Sequence, residues 1–146
     1  MHMSKDSIVY ADDPTELSVD DLAELFEGWR AAPAPERCLA AISEADACVL
    51  AFDGDRLVGF ATAITDHALF CFIPLVEVAR SHRGRGIGSE LVRRITRASG
   101  PIYGTYLCCD EDTASFYERL GFDRVVGMAR QDREAAGVPG REPQGR

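Results

Sequence analysis

The chain has 146 residues, a formal net charge of −8 and 46% hydrophobic side chains. That is the size of one domain with apolar side chains enough for a core, and no run of about 18 or more apolar residues is present to span a bilayer as a helix. The acidic balance argues against a nucleic-acid partner, and the polar start, Met1 to Asp6, has no signal-peptide core.

The five cysteines are odd in number and form no Cys-x-x-Cys pair. This predicts reduced, buried thiols in a cytoplasmic protein, with neither a disulfide frame nor a metal site. Cys108 and Cys109 read as neighbours in a strand, with side chains on opposite faces.

In chain order, Ser7 to Tyr10 is a short predicted strand. Ser18 with Asp21 three residues on resembles a capping box, and Leu22, Leu25, Phe26 and Trp29 fall at helical spacing. Pro35 suits the first turn of a second helix, running to about Ala45 with Leu39 and Ile42 inward. Three strands follow: Ala47 to Phe52, Arg56 to Thr65 and Ala68 to Val78. Asp53-Gly54-Asp55 and Asp66-His67 are the turns between them, so these strands are expected to be antiparallel neighbours. His67 reads as solvated, and His82 as exposed beside the glycine loop.

Pro74 interrupts the third strand. Proline has no N–H for a ladder, which points to a bulge or an edge strand; the following Val76-Glu77-Val78 favours the bulge. A helix is predicted over Gly86 to Ser99 and stopped by Gly100-Pro101. The strand Ile102 to Cys109 is reached through that helix and should therefore run parallel to the third strand. Asp110-Glu111-Asp112 opens a last helix with favourable acidic charge. Gly121 ends it, and Phe122 to Met128 is the last predicted strand. Residues 1–128 are expected to form one domain, and 129–146, without periodicity, a mobile tail.

Charge is unevenly placed. Residues 1–79 hold 15 acids and four bases, whereas residues 80–97 hold six arginines and one acid. The basic stretch includes Arg83-Gly84-Arg85-Gly86-Ile87-Gly88-Ser89 between a strand and a helix. Glycines let backbone approach a ligand closely. The opening N–H groups of a helix have no partner inside it, and that end attracts anions. Two arginines beside it match phosphate oxygens. A phosphate or pyrophosphate cradle follows, against the plainer reading of glycines that merely allow close packing. A P-loop is excluded because the only lysine is Lys5. The glycine register also departs from a dinucleotide Gly-x-Gly-x-x-Gly, although Asp110 lies where a ribose-binding acid would be expected. The acidic remainder would favour a cationic second substrate, or simply solubility.

The pattern Arg83-x-x-Gly86-x-Gly88 resembles the acetyl-CoA signature of the GNAT superfamily of N-acetyltransferases. Phe116-Tyr117-Glu118-Arg119-Leu120-Gly121-Phe122 is similar to the family's late helix and its ending. The resemblance covers about residues 7 to 128. It implies an α/β fold with a mostly antiparallel mixed sheet, a parallel splayed strand pair and helices on both faces. It implies that acetyl-CoA is the co-substrate, without a metal, and that a small-molecule or peptide amine is the acceptor. Nucleic acid and membrane are not expected partners, and a homodimer is left open.

By the same resemblance the pantetheine arm would lie along Val76 to Val78, and the Val78 N–H would face the developing oxyanion. Backbone N–H groups from Arg83 through Ser89 would hold the pyrophosphate. Tyr117 would donate to the departing sulfur, and Phe116 beside it, which supplies a core contact, would also border the cofactor. Two positions depart from the family pattern. Arg80 stands where a proline is common, and Asp110 where an asparagine often contacts pantetheine; an aspartate accepts that hydrogen bond but cannot donate it. Glu77 sits in an apolar strand, so its carboxylate must be paired or functional. It is either the base that deprotonates the amine or the partner of an arginine. The leading reading is direct acetyl transfer in a ternary complex. The rivals are a CoA-binding module without turnover and a dinucleotide-binding enzyme.

Overall fold

In the computed structural model, residues 7–29, 31–135 and 137 are described. The polar start through Asp6 and residues 138–146 of the expected tail lie outside them.

Two apolar runs make the centre. Strand β2 (Ala47–Asp53) is buried from Cys48 to Ala51, and strand β3 (Arg56–Thr65) from Leu57 to Ala63. They need cover on both faces, as unbroken hydrophobic strands do. They form the predicted hairpin, and Gly54 supplies the positive φ of 60° that its tight turn requires. Strand β1 (Val9–Ala11) pairs antiparallel with β2 at one edge. On one face lies helix α2 (Ile87–Ala98), which buries Ile87, Leu91, Val92 and Ile95 against β2 and β3. The other face is covered by helix α1 (Pro35–Ser43), which buries Cys38 and Ile42, and by the chain before it.

The third predicted strand is two strands. Phe70–Phe72 forms β4 and Val76–Val78 forms β5, with Pro74 in the break. Both pair antiparallel with β3. Strand β6 (Gly104–Tyr106), shorter than expected, lies parallel to β4. The sheet order is thus β1-β2-β3-β4-β6, with β5 attached to β3 alone. This is the mixed, splayed sheet that the sequence implied. Helix α3 (Glu111–Arg119) follows β6, with Asp110 as its N-cap residue.

Four expectations need correction. The capping box at Ser18 forms, the Ser18 N–H donating to Asp21 at 2.8 Å. What it opens is a 3₁₀ turn, Val19–Leu22, then further turns closed by i→i+3 bonds such as Leu25 N–H to Leu22 C=O at 3.1 Å. Leu22 and Leu25 are three apart, and a tighter turn buries that pair as well as an α-helix does. Phe122 to Met128 is not a strand. Arg124 is held by Glu111 and Glu118 of α3, and Val125, Val126 and Met128 are exposed. Cys108 and Cys109 lie beyond the end of β6 and are exposed, whereas Cys38, Cys48 and Cys71 are buried. His82 is buried, for a reason given below.

Gly59 is where β3, β5 and α2 meet. A methyl group there would stand 3.0 Å from the Glu77 carbonyl oxygen and 3.1 Å from Leu91 Cδ1. Backbone on one side and a packed leucine on the other leave no room to yield. Gly59→Ala is expected to cost about 1–3 kcal/mol as an overpacking substitution. Urea denaturation reads it, and an unchanged midpoint would contradict this packing.

Candidate active site

The break at Pro74 decides which way the backbone of β5 faces. The Leu75 carbonyl accepts the Thr62 N–H at 3.1 Å, and the Ala79 N–H donates to the Val58 carbonyl at 2.8 Å. Glu77 pairs with Phe60 between them. Antiparallel ladders alternate, so the N–H and C=O groups of Val76 and Val78 point away from β3. On that side β6 has followed β4, and among the described residues no strand pairs with β5 there. The two valines therefore border a gap with their polar backbone turned into it. Arg83 reaches one of these groups, its Nε donating to the Val78 carbonyl at 3.3 Å.

The glycine loop opens beside the gap. Gly84 and Gly86 have φ of 76° and 80°, a region other residues seldom enter. Nothing lies within 4 Å of where a side chain on either would begin. Gly86 caps α2 without any side-chain acceptor, and Glu90 is the first residue whose N–H bonds back within the helix, to the Gly86 carbonyl at 3.1 Å. The N–H groups of Ile87, Gly88 and Ser89 thus form the positive opening turn of a 12-residue helix. Arg83 and Arg85 are exposed at its mouth. Open space, unclaimed donors and two guanidinium groups fit a pyrophosphate. The Phe116 ring lies 3.5 Å from the place of a Gly88 side chain, so Phe116 packs on this opening turn.

Glu77 points to the opposite face from Val76 and Val78, since side chains alternate along a strand. Val78 packs towards Gly88 of α2, which sends Glu77 to the face covered by α1 and the turns before it. Burial raises its carboxyl from 4.5 to about 7; the Trp29 indole N–H and the positive Arg83 act against that rise. Cys38 on α1 feels the Glu77 charge, which adds to burial in raising its thiol. Tyr117 is raised to about 12, mainly by burial and further by Cys109 and Glu77. A protonatable carboxyl and a phenol held protonated thus lie within one electrostatic neighbourhood.

Tyr117 and Asp110 also line a cleft of about 810 Å³ between β6 and residues 122–129; Glu77 and the glycine loop are not part of its walls. Asp110 is exposed there, and its carbonyl accepts the Thr113 N–H at 2.9 Å in the first turn of α3.

Three contributors escaped the sequence reading. Trp29, expected in an apolar face, is 42% exposed and turns its indole to Glu77. The Arg80 guanidinium lies against Gly28, where an added Cβ would meet it at 2.7 Å, so the loop after β5 touches the turns on the Glu77 side. His82 fastens the loop before the glycines to the β2–β3 hairpin. Its Nε2 is 2.8 Å from Asp53 Oδ2 and its Nδ1 is 2.8 Å from Ser81 Oγ. With the Nε2 proton donated to the carboxylate, Nδ1 accepts from the serine hydroxyl. That bond is the main cause holding Asp53 below its usual range. Arg56 adds a bond to Ser81 Oγ at 3.2 Å. The partners are 29 residues apart in the chain, so no local pattern announces them.

The carboxyl of Glu77 links this site to stability. Its folded value, about 7, lies above the ordinary 4.5, so the protonated form favours folding. The contribution is whole below pH 4.5 and is lost as pH rises through about 7. Glu77→Gln removes that loss. Thermal melting should show the variant gaining on the wild type as pH rises from 4.5 past 7; parallel curves would contradict a buried, weakly compensated carboxyl.

Comparison with known proteins places this geometry. The family model described as "Acetyltransferase (GNAT) family" matches residues 14–122. A solved acetyltransferase structure from Deinococcus radiodurans R1 superposes with a TM-score of 0.84 at 35% identity, over 95% of this chain and 99% of that one. A GNAT-family protein from Streptococcus pneumoniae TIGR4, at 24% identity and a TM-score of 0.73 over 87% of this chain and 99% of that one, shares the fold. Among curated relatives, GCN5-related N-acetyltransferase 2 of Arabidopsis thaliana is 36% identical over 70 residues, which are 47% of this chain and 27% of that protein. The L-2,4-diaminobutyric acid acetyltransferase of Shouchella clausii is 42% identical over 52 residues, 34% of this chain and 29% of that protein. The chain thus spans less than a third of either curated relative. With most of its length under one family model and the splayed sheet beneath it, the chain belongs to the GNAT acetyltransferase family.

Proposed function

We propose that the chain moves an acetyl group from acetyl-CoA to a primary amine of a cationic acceptor, by direct transfer in a ternary complex. The observation that carries this reading is Glu77: a carboxyl with its pKa near 7, on the strand whose outward backbone borders the gap.

An amine of the lysine type has a pKa of about 10.4 and must lose a proton before it attacks. Glu77 takes that proton, directly or through a water, and its raised value suits a base working near neutral pH. The N–H groups of Ile87, Gly88 and Ser89, with Gly84, Gly86 and the guanidinium groups of Arg83 and Arg85, hold the pyrophosphate. The outward backbone of Val76 and Val78 aligns the pantetheine arm, and the Val78 N–H faces the oxygen on which charge develops. Tyr117 stays protonated across the working range and donates to the leaving sulfur, whose thiol has a pKa of about 8.5. Asp110 offers only an acceptor to the pantetheine arm and so contributes alignment alone. Phe116 keeps the opening turn of α2 in place.

A cationic acceptor is supported by the acid-rich first half of the chain, which includes Glu77 itself. The Shouchella clausii relative is named for a diamino acid, which fits the same chemistry.

Thiol release from acetyl-CoA, measured against a panel of primary amines, tests the reading. The rate should rise with pH to a plateau, with an apparent pKa near the about 7 of Glu77. Glu77→Gln should lower kcat/KM by about 10²–10⁴, the usual worth of a general base. Tyr117→Phe should slow turnover while keeping the melting shift that CoA gives, about 2.7 kcal/mol at 100 times its Kd. Wild-type silence across the panel, with that shift intact, would favour a module that binds CoA without turning it over.

A further inference from the structure

We propose that Asp53, at the end of β2, is a positioning residue of the CoA site and acts on the glycine loop through His82. The inference rests on the reading that this loop holds the CoA pyrophosphate, and it adds what keeps the loop in place.

The loop needs support from outside itself. Its last backbone bond to the sheet is the Ala79 N–H to the Val58 carbonyl at 2.8 Å. After that the bonds are local: the His82 N–H to the Ala79 carbonyl at 2.9 Å and the Arg83 N–H to the Arg80 carbonyl at 3.4 Å. The N–H groups of Gly84 and Gly86 meet no backbone acceptor among the described residues. Both glycines have positive φ, and glycine is the residue whose backbone is least restrained. Residues 83–86 are all exposed. They hang between two buried side chains, Ile87 at 2% exposure behind them and His82 at 5% ahead.

Ile87 is held by the apolar core. His82 is polar, and its place depends on its partners. Ser81 bonds its Nδ1 at 2.8 Å but is its neighbour in the chain and moves with it. Asp53 bonds its Nε2 at 2.8 Å from the sheet, 29 residues away. Without Asp53 a buried ring nitrogen loses its partner, which favours turning the ring toward water and releasing the loop. A loop already in its bound shape loses less freedom when the anion arrives, so the bond to Asp53 favours CoA. The Asp53 charge acts the other way. After the His82 bond, the positive Arg85 and Arg56 also hold its carboxyl low, so a negative charge stands near a cradle meant for an anion. The two effects are separable. Asp53→Asn keeps an oxygen for the Nε2 proton and drops the charge, whereas Asp53→Ala drops both. The Asp53 side chain is 46% exposed, so neither substitution opens a cavity.

Titration calorimetry of the full chain with CoA tests this. Asp53→Ala should raise Kd about tenfold, the loss of one charge-assisted bond that organises the loop. Asp53→Asn should bind CoA at least as tightly as the wild type. His82→Asn, whose shorter side chain stops before Asp53, should weaken binding as Asp53→Ala does, and the double variant no further. With an amine substrate, Asp53→Ala should raise the KM for acetyl-CoA more than it lowers kcat, a split that a general loss of folding would not give. Equal weakening by Asp53→Asn and Asp53→Ala would overturn the proposal, and so would unaltered binding in Asp53→Ala. A wild type without affinity for CoA would instead remove the cofactor reading on which the proposal rests.

Discussion

Everything in this molecule follows from a donor that is missing. Pro74 has no N–H to give, and the third strand of the sheet breaks there into β4 and β5. The halves keep β3 as a common neighbour but part on their other side, where β6 accompanies only β4. Buried backbone groups are nearly always paired. Apart from the Val78 carbonyl, which Arg83 Nε meets, the outward groups of Val76 and Val78 form a polar edge, and an extended ligand carrying amides can pair with it.

The rest of the site is arranged around that gap. At one end the left-handed glycines and the opening turn of α2 gather N–H groups for an anion. Glu77 looks out from the far face of the same strand, half-buried and held near neutrality in its proton affinity. The two features have opposite surroundings: the glycine loop and its arginines are exposed and positive, whereas Glu77 owes its raised value chiefly to burial. A strand separates them naturally, because successive side chains face opposite sides. The His82–Asp53 and Arg80–Gly28 contacts then hold the loop between strand and helix against the hairpin on one side and the turns that cover Glu77 on the other.

Much of this was legible in the sequence because it is local. Gly54 marks the hairpin, Pro35 the first turn of α1, and the glycine–arginine run the start of α2. The parallel pairing of β4 and β6 follows from a helix lying between them in the chain. What was not legible depends on distant partners. His82 looked like a loop histidine until Asp53 arrived from another element. Trp29 looked like one more ring in an apolar stripe, yet it faces a carboxylate 48 residues further on. The turns after Ser18 passed for a helix because Leu22 and Leu25 satisfy both periods. Phe122 to Met128 has the composition of a strand, and composition does not say whether a neighbour will be within reach.

The claim on which the account depends is that the gap beside β5 and the opening turn of α2 form one continuous binding surface. Amide resonances followed during a titration with CoA test it most directly. The account predicts that Val76, Val78 and Ile87 to Ser89 shift together along one saturable curve and become protected from exchange. Shifts confined to other parts of the chain, or a response at the helix with none at the two valines, would contradict it.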